Sequence, residues 1–396
     1  MKRSVLFHRG APFLLVQALV GHVAASACFV LAAGLPACSS TDTQVAVGND
    51  GGSTYVPPSG DPIEAEALVW TWVPFEGAKC RDGSTAGIAI SPNPDSDKLM
   101  IFLEGGGACF NPATCAANPA NFDPANVASI SGGVLDRTQT ENPVKDWNMV
   151  YVPYCTGDVH GGSAEDVTVP GVTGTQQFVG YENMELFLDR VVPTFPDVKQ
   201  VLDTGISAGG FGAAVNVELI QRKFPPGTDI VLIDDSGPGM SSEYIPSCLQ
   251  KLWTETWGFG QTFLKDCGAD CPNNDDFGLD WSFHLAKKYP DSRGALVSAT
   301  ADNTVTLFYG FGANDCSVAP TALPTPMPAD QFKAGLLDFR TRIQAVNKNF
   351  STYYIDSTTH TWTHFAEFYT TESGGVRLVD WYKAMLEGGP AQHVGP

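Results

Sequence analysis

The run VLDTGISAGGFGAAVNVELIQ, from Val201 to Gln221, limits what this chain can fold into more than any other segment. It reads as a short apolar strand, the turn Gly205-Ile206-Ser207-Ala208-Gly209, and a helix predicted from Ala208 to Phe224. A serine held on a tight strand-to-helix turn needs almost no side chain two residues before and after it, because the backbone crowds there. Gly205 and Gly209 meet that need. The competing reading is a glycine-rich turn whose serine only caps a helix. With 41 glycines in 396 residues the pentapeptide alone is weak, and its strand-and-helix context carries the inference.

Further apolar or β-branched runs stop at Gly, Asp or Asn: Lys98 to Leu103, Met149 to Pro153, Asp229 to Ile233, Ala295 to Thr300 and Ser351 to Ile355. Continuous apolar strands of this length are those of a buried parallel sheet. A final helix is expected from Val376 to Leu386. Strands alternating with helices predict an α/β-hydrolase-like, doubly wound, mostly parallel sheet with disulfide-pinned loop insertions. In such a sheet the chemistry collects beyond the carboxyl ends of the strands.

The first well-defined strand, KLMIFL, runs into Glu104-Gly105-Gly106-Gly107-Ala108-Cys109. Its exposed backbone makes Gly105, Gly106 or Gly107 a candidate oxyanion donor, with the N–H of Ala208 as the second. A dinucleotide-type turn is the alternative, but GxGxxG spacing is missing.

The chain order serine, acid, histidine confines the partners to residues after Ser207. His360 follows a strand-like run and is the candidate general base. Asp302, directly after another run, is the candidate acid, with Asp315, Asp235 and Asp234 as alternatives. His364 stands four residues beyond His360, but Thr361 occupies the place a zinc-protease glutamate would take. No metal is expected there, and His364 is read as structural or as a pocket wall. The acid-rich stretch Asp266 to Asp280 departs from the calcium-loop pattern and reads as a solvated insertion.

Lys2, Arg3 and Arg9 precede an apolar run that ends in small residues, the pattern of an export signal over residues 1–37. LPACSS makes Cys38 a lipidation candidate, so any membrane attachment is expected through a lipid anchor there. Residues 38–62 read as a Ser/Thr/Gly/Pro tether, and residues 63–396 as one catalytic domain. Eight cysteines remain beyond Cys28 and Cys38, an even number that in an exported protein predicts up to four disulfides; Cys109 with Cys115 and Cys267 with Cys271 are candidate local pairs. The formal net charge is −20, and near −23 without residues 1–37 and their three cations. That excludes nucleic acid as a partner and disfavours polyanions.

KCRDGSTAG, FLEGGGACFNPATC, VPYCTGDVHGG and GISAGGFGA, in that order, resemble the pectin acetylesterase family, which includes the Notum-type carboxylesterases; HTWTH at His360 is consistent with it. The resemblance implies a cofactor-free and metal-free serine esterase that releases acetyl from a glycan or a longer acyl group from a protein or small ester. Ala108 departs from the family's usual tryptophan, which opens the question of acyl preference. An exported, monomeric esterase acting on an acylated glycan or small ester is therefore expected, at the cell surface, in the periplasm or secreted. A non-catalytic surface binding module on the same fold is the competing class.

Overall fold

A nine-stranded sheet forms the centre of the molecule. In chain order its strands are β1 (Thr71–Lys79), β2 (Thr85–Ser91), β3 (Lys98–Leu103), β4 (Asn148–Val152), β5 (Gln200–Ile206), β6 (Asp229–Asp235), β7 (Arg293–Ala299), β8 (Phe350–Ile355) and β9 (His393–Val394). They lie side by side as β1-β2-β4-β3-β5-β6-β7-β8-β9. From β4 through β9 every pair is parallel, whereas β1 with β2 and β2 with β4 are antiparallel. This computed structural model describes residues 55–273, 276–319 and 321–396. The export signal, Cys38 and most of the tether lie outside the described residues.

The six apolar runs occupy β3 to β8, shifted at their ends by one or two residues. KLMIFL is not the first strand, however, because the β1–β2 hairpin precedes it. Pro74 and Gly77 interrupt β1, whose outward side is exposed, so it lacks the unbroken apolar run that marks the central strands. The final helix begins two residues later than expected, at Leu378.

Alternate residues of each strand feed two apolar layers. One layer holds Ile101, Leu103, Val201, Ile230 and Leu232 and is covered by α1 (Gly180–Thr194), α2 (Ala208–Lys223), α4 (Phe277–Lys288) and α6 (Ala329–Val346). The other holds Met100, Phe102, Leu202, Val231 and Ile233 and is covered by α7 (Leu378–Leu386) with the loops around Val134 and Trp362. Two further helices, α3 (Ser247–Trp257) and α5 (Asn303–Gly310), lie beyond the carboxyl ends of β6 and β7.

The described residues fall within one compact unit. The tether expected to residue 62 is already docked at Gly60, whose N–H donates to Asp189 O at 3.1 Å, and Arg190 Nε donates to Asp61 O at 3.0 Å. Four disulfides join Cys80–Cys155, Cys109–Cys115, Cys248–Cys316 and Cys267–Cys271, as suits an oxidising compartment. No helix among the described residues is long and apolar enough to cross a membrane.

Candidate active site at the carboxyl edge of the sheet

Four loops converge beyond the carboxyl ends of β3, β5, β7 and β8. Ser207 follows β5 at φ 57° and ψ −123°, a left-handed conformation that L-residues avoid and that costs on the order of 1–3 kcal/mol. It is held there by its N–H, which donates to Asp235 O at 2.7 Å. The flanking glycines have a steric cause. A Cβ on Gly209 would lie 2.0 Å from Leu103 O, and one on Gly205 would lie 2.3 Å from Gly209 O.

The glycine loop after β3 packs on this turn. A Cβ on Gly105 would lie 2.5 Å from Ile206 O and 2.9 Å from the Ser207 Cβ, and one on Gly106 would meet the Tyr154 ring at 2.8 Å. Gly107 has φ +79°. Asn118 Nδ2 donates to Gly106 O at 2.8 Å, and the Cys109–Cys115 bridge closes the following turn. Ala208 opens α2, where the first N–H groups have no intrahelical acceptor and the helix dipole is positive. Backbone N–H groups of this loop and of Ala208 thus stand beside the serine.

Asp302, fully buried after β7, caps α5 through Oδ1, which accepts from Thr304 N and Val305 N, both at 2.8 Å. Its Oδ2 lies 2.7 Å from His360 Nδ1. That contact fixes Nδ1 as the donor and leaves Nε2 as the basic nitrogen. His360 Nε2 is buried and has no hydrogen-bond partner, so the structure does not join it to Ser207 Oγ. Such contacts often tighten only when substrate binds.

The alternative acids have other environments. Asp315 is exposed in a left-handed turn before Cys316. Asp234 accepts from Gly237 N at 2.7 Å, and burial pushes its carboxyl well above the usual carboxylate range. Asp235 takes Trp362 N and Thr363 N on Oδ2, both at 2.8 Å; burial raises its pKa against those bonds. It therefore ties the Ser207 turn to the loop carrying His360. Nothing in the sequence separates it from the other strand-end acids, because the Trp362 and Thr363 N–H groups it holds lie more than 120 residues away.

His364 Nε2 donates to Ser131 O at 3.1 Å, and its ring meets Phe102 edge-on, so it is a wall rather than a ligand. In the acid-rich stretch, Asp266 pairs with Arg222 at 2.9 Å and Asp270 with Lys287 at 2.7 Å. Among the described residues no cluster of three metal-ligating side chains occurs.

A cavity of about 150 Å³ is lined at one end by Gly107, Ser207 and Ala208. Phe211, Trp253, Trp257, Phe308 and Tyr309 supply aromatic walls, none of them singled out by the sequence pattern. Asp234 and Ile230 both line it, so it extends along four residues of β6, roughly 13 Å at strand rise.

The pectinacetylesterase family model matches residues 68–262. A palmitoleoyl-protein carboxylesterase NOTUM of Schmidtea mediterranea is 32% identical over 37% of this chain and 29% of its own length. Pectin acetylesterase 5 of Arabidopsis thaliana is 30% identical over 41% of this chain and 39% of its own length. The chain thus matches between 29% and 39% of these relatives' lengths. The solved Wnt deacylase Notum from Drosophila superposes with a TM-score of 0.57 and 18% identity, covering 81% of this chain and 93% of that one, a likeness of fold.

Proposed function

We propose that this chain, which is similar to the pectinacetylesterase family over residues 68–262, is a serine carboxylic ester hydrolase with Ser207 as nucleophile, His360 as base and Asp302 as the acid that orients it. The observation that carries this reading is the 2.7 Å contact of Asp302 with His360 Nδ1, made on the loops that follow β7 and β8, at the same edge of the sheet as the strained turn of Ser207. His360 Nε2 would take the Ser207 proton as Oγ attacks the ester carbonyl. The oxyanion would be met by Ala208 N–H and a donor of Gly105–Gly107. The imidazolium then protonates the leaving alcohol, and water clears the acyl-enzyme.

The apolar cavity supports an acyl chain longer than the expected acetyl. A dry cavity of about 150 Å³ holds a group the size of benzene, so acyl chains of roughly four to eight carbons fit it best. The leader, the four disulfides and Cys38 support export with a lipid anchor, for which the test is membrane partitioning of Cys38→Ala.

The deciding experiment runs aryl esters from acetyl to palmitoyl on wild type and Ser207→Ala. Wild type should gain about three- to fourfold in kcat/KM per added methylene up to the cavity's limit, at about 0.8 kcal/mol each. Equal rates in the two proteins would refute the hydrolase reading, and fluorophosphonate labelling lost in Ser207→Ala would dismiss the binding-module alternative.

A further inference from the structure

The acyl cavity accounts for one half of an ester, and a second cavity is lined by Glu104, the residue before the glycine loop, and by His364 of the loop that carries His360. Glu104 follows Met100 and Phe102 on the side of β3 that faces α7, opposite the layer containing Ile101 and Leu103. Glu104 lines a cavity of about 420 Å³, within the roughly 300–1,000 Å³ usual for small-molecule sites. Its neighbour Gly105 packs on Ser207. His364, four residues after His360 on the same loop, lines the same cavity. In the proposed reaction the leaving oxygen takes its proton from His360 as the C–O bond breaks, which favours an alcohol site reached by the loop that carries both histidines.

The walls describe the alcohol. Asn126 offers an amide donor and acceptor. Asn121 and Ser129 add acceptor oxygens, while Asn121 Nδ2 donates to Asp82 at 2.9 Å and Ser129 Oγ to Asn126 O at 2.7 Å. The Phe122 ring, stacked 5.2 Å from Trp72, offers a flat apolar face. Hydroxyl groups around a ring with an apolar face match that set. The acidic groups are Asp123 and Glu104, whose carboxyl accepts from Tyr154 N at 2.9 Å and whose pKa is pushed up by burial, and neither Lys nor Arg is among the lining residues. A sugar carboxylate here would face two acids with no cation to pair it, which disfavours its charged form. A serine within a polypeptide would bring backbone N–H and C=O groups that need a row of backbone partners, and this cavity presents side chains.

We propose that the cavity bounded by Glu104, Asp123, Asn126 and His364 binds the alcohol half of the substrate and selects an uncharged glycosyl residue over a uronosyl one. The proposal rests on the ester-hydrolase reading. It is a statement about this chain's own walls, and it runs against the polyanionic sugar that the family's name suggests.

The test compares kcat/KM for 3-O-hexanoyl methyl glucoside, 3-O-hexanoyl methyl glucuronoside and N-acetyl-O-hexanoyl-serine methylamide, each divided by that for p-nitrophenyl hexanoate. The glucoside should exceed each of the other two at least tenfold. Asn126→Ala, at an exposed position that does not hold the core, should cut the glucoside ratio about tenfold, and Asp123→Lys should raise the glucuronoside ratio. A serine ester used as well as the glucoside, a glucuronoside used equally, or a glucoside ratio untouched by Asn126→Ala would each overturn the proposal while aryl ester turnover left the hydrolase reading standing. No turnover of any ester would overturn both.

Discussion

Asp235 Oδ2 receives both the backbone N–H and the Oγ1 of Thr363, at 2.8 and 2.9 Å. Its carbonyl oxygen meanwhile holds the Ser207 N–H. One buried residue thus ties the Ser207 turn to the loop that carries His360 without touching Ser207 Oγ or the imidazole.

Two substitutions separate positioning from chemistry. Asp235→Ala should release the His360 loop and lower kcat about 100-fold, the order expected of a misplacement near 1 Å. Asp235→Asn, which keeps an acceptor for the two N–H groups, should recover part of that loss. Asp302→Asn should cost about 10⁴-fold in kcat, because the amide favours the wrong imidazole tautomer. Equal losses for Asp235→Ala and Asp302→Asn, with unchanged melting temperatures, would contradict the division of roles.

Gly105→Ala should disable the site by a different route. The added Cβ collides with Ile206 O and the Ser207 Cβ, so the turn must move. Losing one oxyanion donor is worth about 3 kcal/mol, and kcat should fall 10²- to 10³-fold with little change in KM. Steady-state kinetics on a short-chain aryl ester would check this.

His284 should make stability depend on pH. Its hydrogen bond to the buried Glu218 raises its pKa against the opposing effect of burial, and Asp270 on Nδ1 raises it further. A raised histidine pKa contributes stability that is fully present below the unfolded value, about 6.5, and is lost as pH climbs through the folded value. His284→Gln should therefore depress the melting temperature most near pH 5.5, and the deficit should shrink by pH 9. Thermal melts across that range give the answer.

The opposite adjustment is predicted for Asp203. Buried in β5, it has no partner for either carboxyl oxygen, and desolvation, helped by Asp234, pushes its pKa well up. A carboxyl with a raised folded pKa costs the folded state stability as pH rises above the unfolded value of about 3.9. Asp203→Asn should raise the melting temperature at pH 7 to 8 and change little near pH 4. A uniform decrease at every pH would show that the amide, not the charge, is the burden.

Breaking Cys80–Cys155 with paired alanines should be expensive, because the bridge closes a loop of 75 residues. Chain entropy for such a loop is worth about 4 kcal/mol. Denaturant unfolding of the double variant should register a loss of that order.

Some of these features were legible in the sequence and some were not. The parallel strands were, because burial on both faces demands continuous apolar runs, and Ser207 was, because the backbone admits only glycine beside it. Asp302 stood out only as an acid at a strand end. Asp235 stood at another strand end and differs in what reaches it, which depends on the loop at residues 361–363. β1 escaped because Pro74 and Gly77 interrupt it and its outward side is solvated, whereas its partner β2 is buried beyond Thr85. Cys80–Cys155 and Cys248–Cys316 escaped because spacing along a chain fixes only short bridges. Apart from Phe211 on α2, the aromatic walls of the cavity at Ser207 came from α3 and α5, whose approach to Ser207 is a matter of tertiary packing.

The order of strands in the sheet has a consequence for how such chains should be cut. The segment that matches the family, residues 68–262, contains β1 through β6, and with them Ser207 and the glycine loop. Asp302 and His360 arrive only with β7 and β8. A fragment ending at residue 262 would hold Ser207 without His360, and it would bare β6 from Val231 to Asp235 as a raw edge ready to pair with any other strand. In expression work, the half of the chain richest in recognisable motifs is the half to be expected in the pellet.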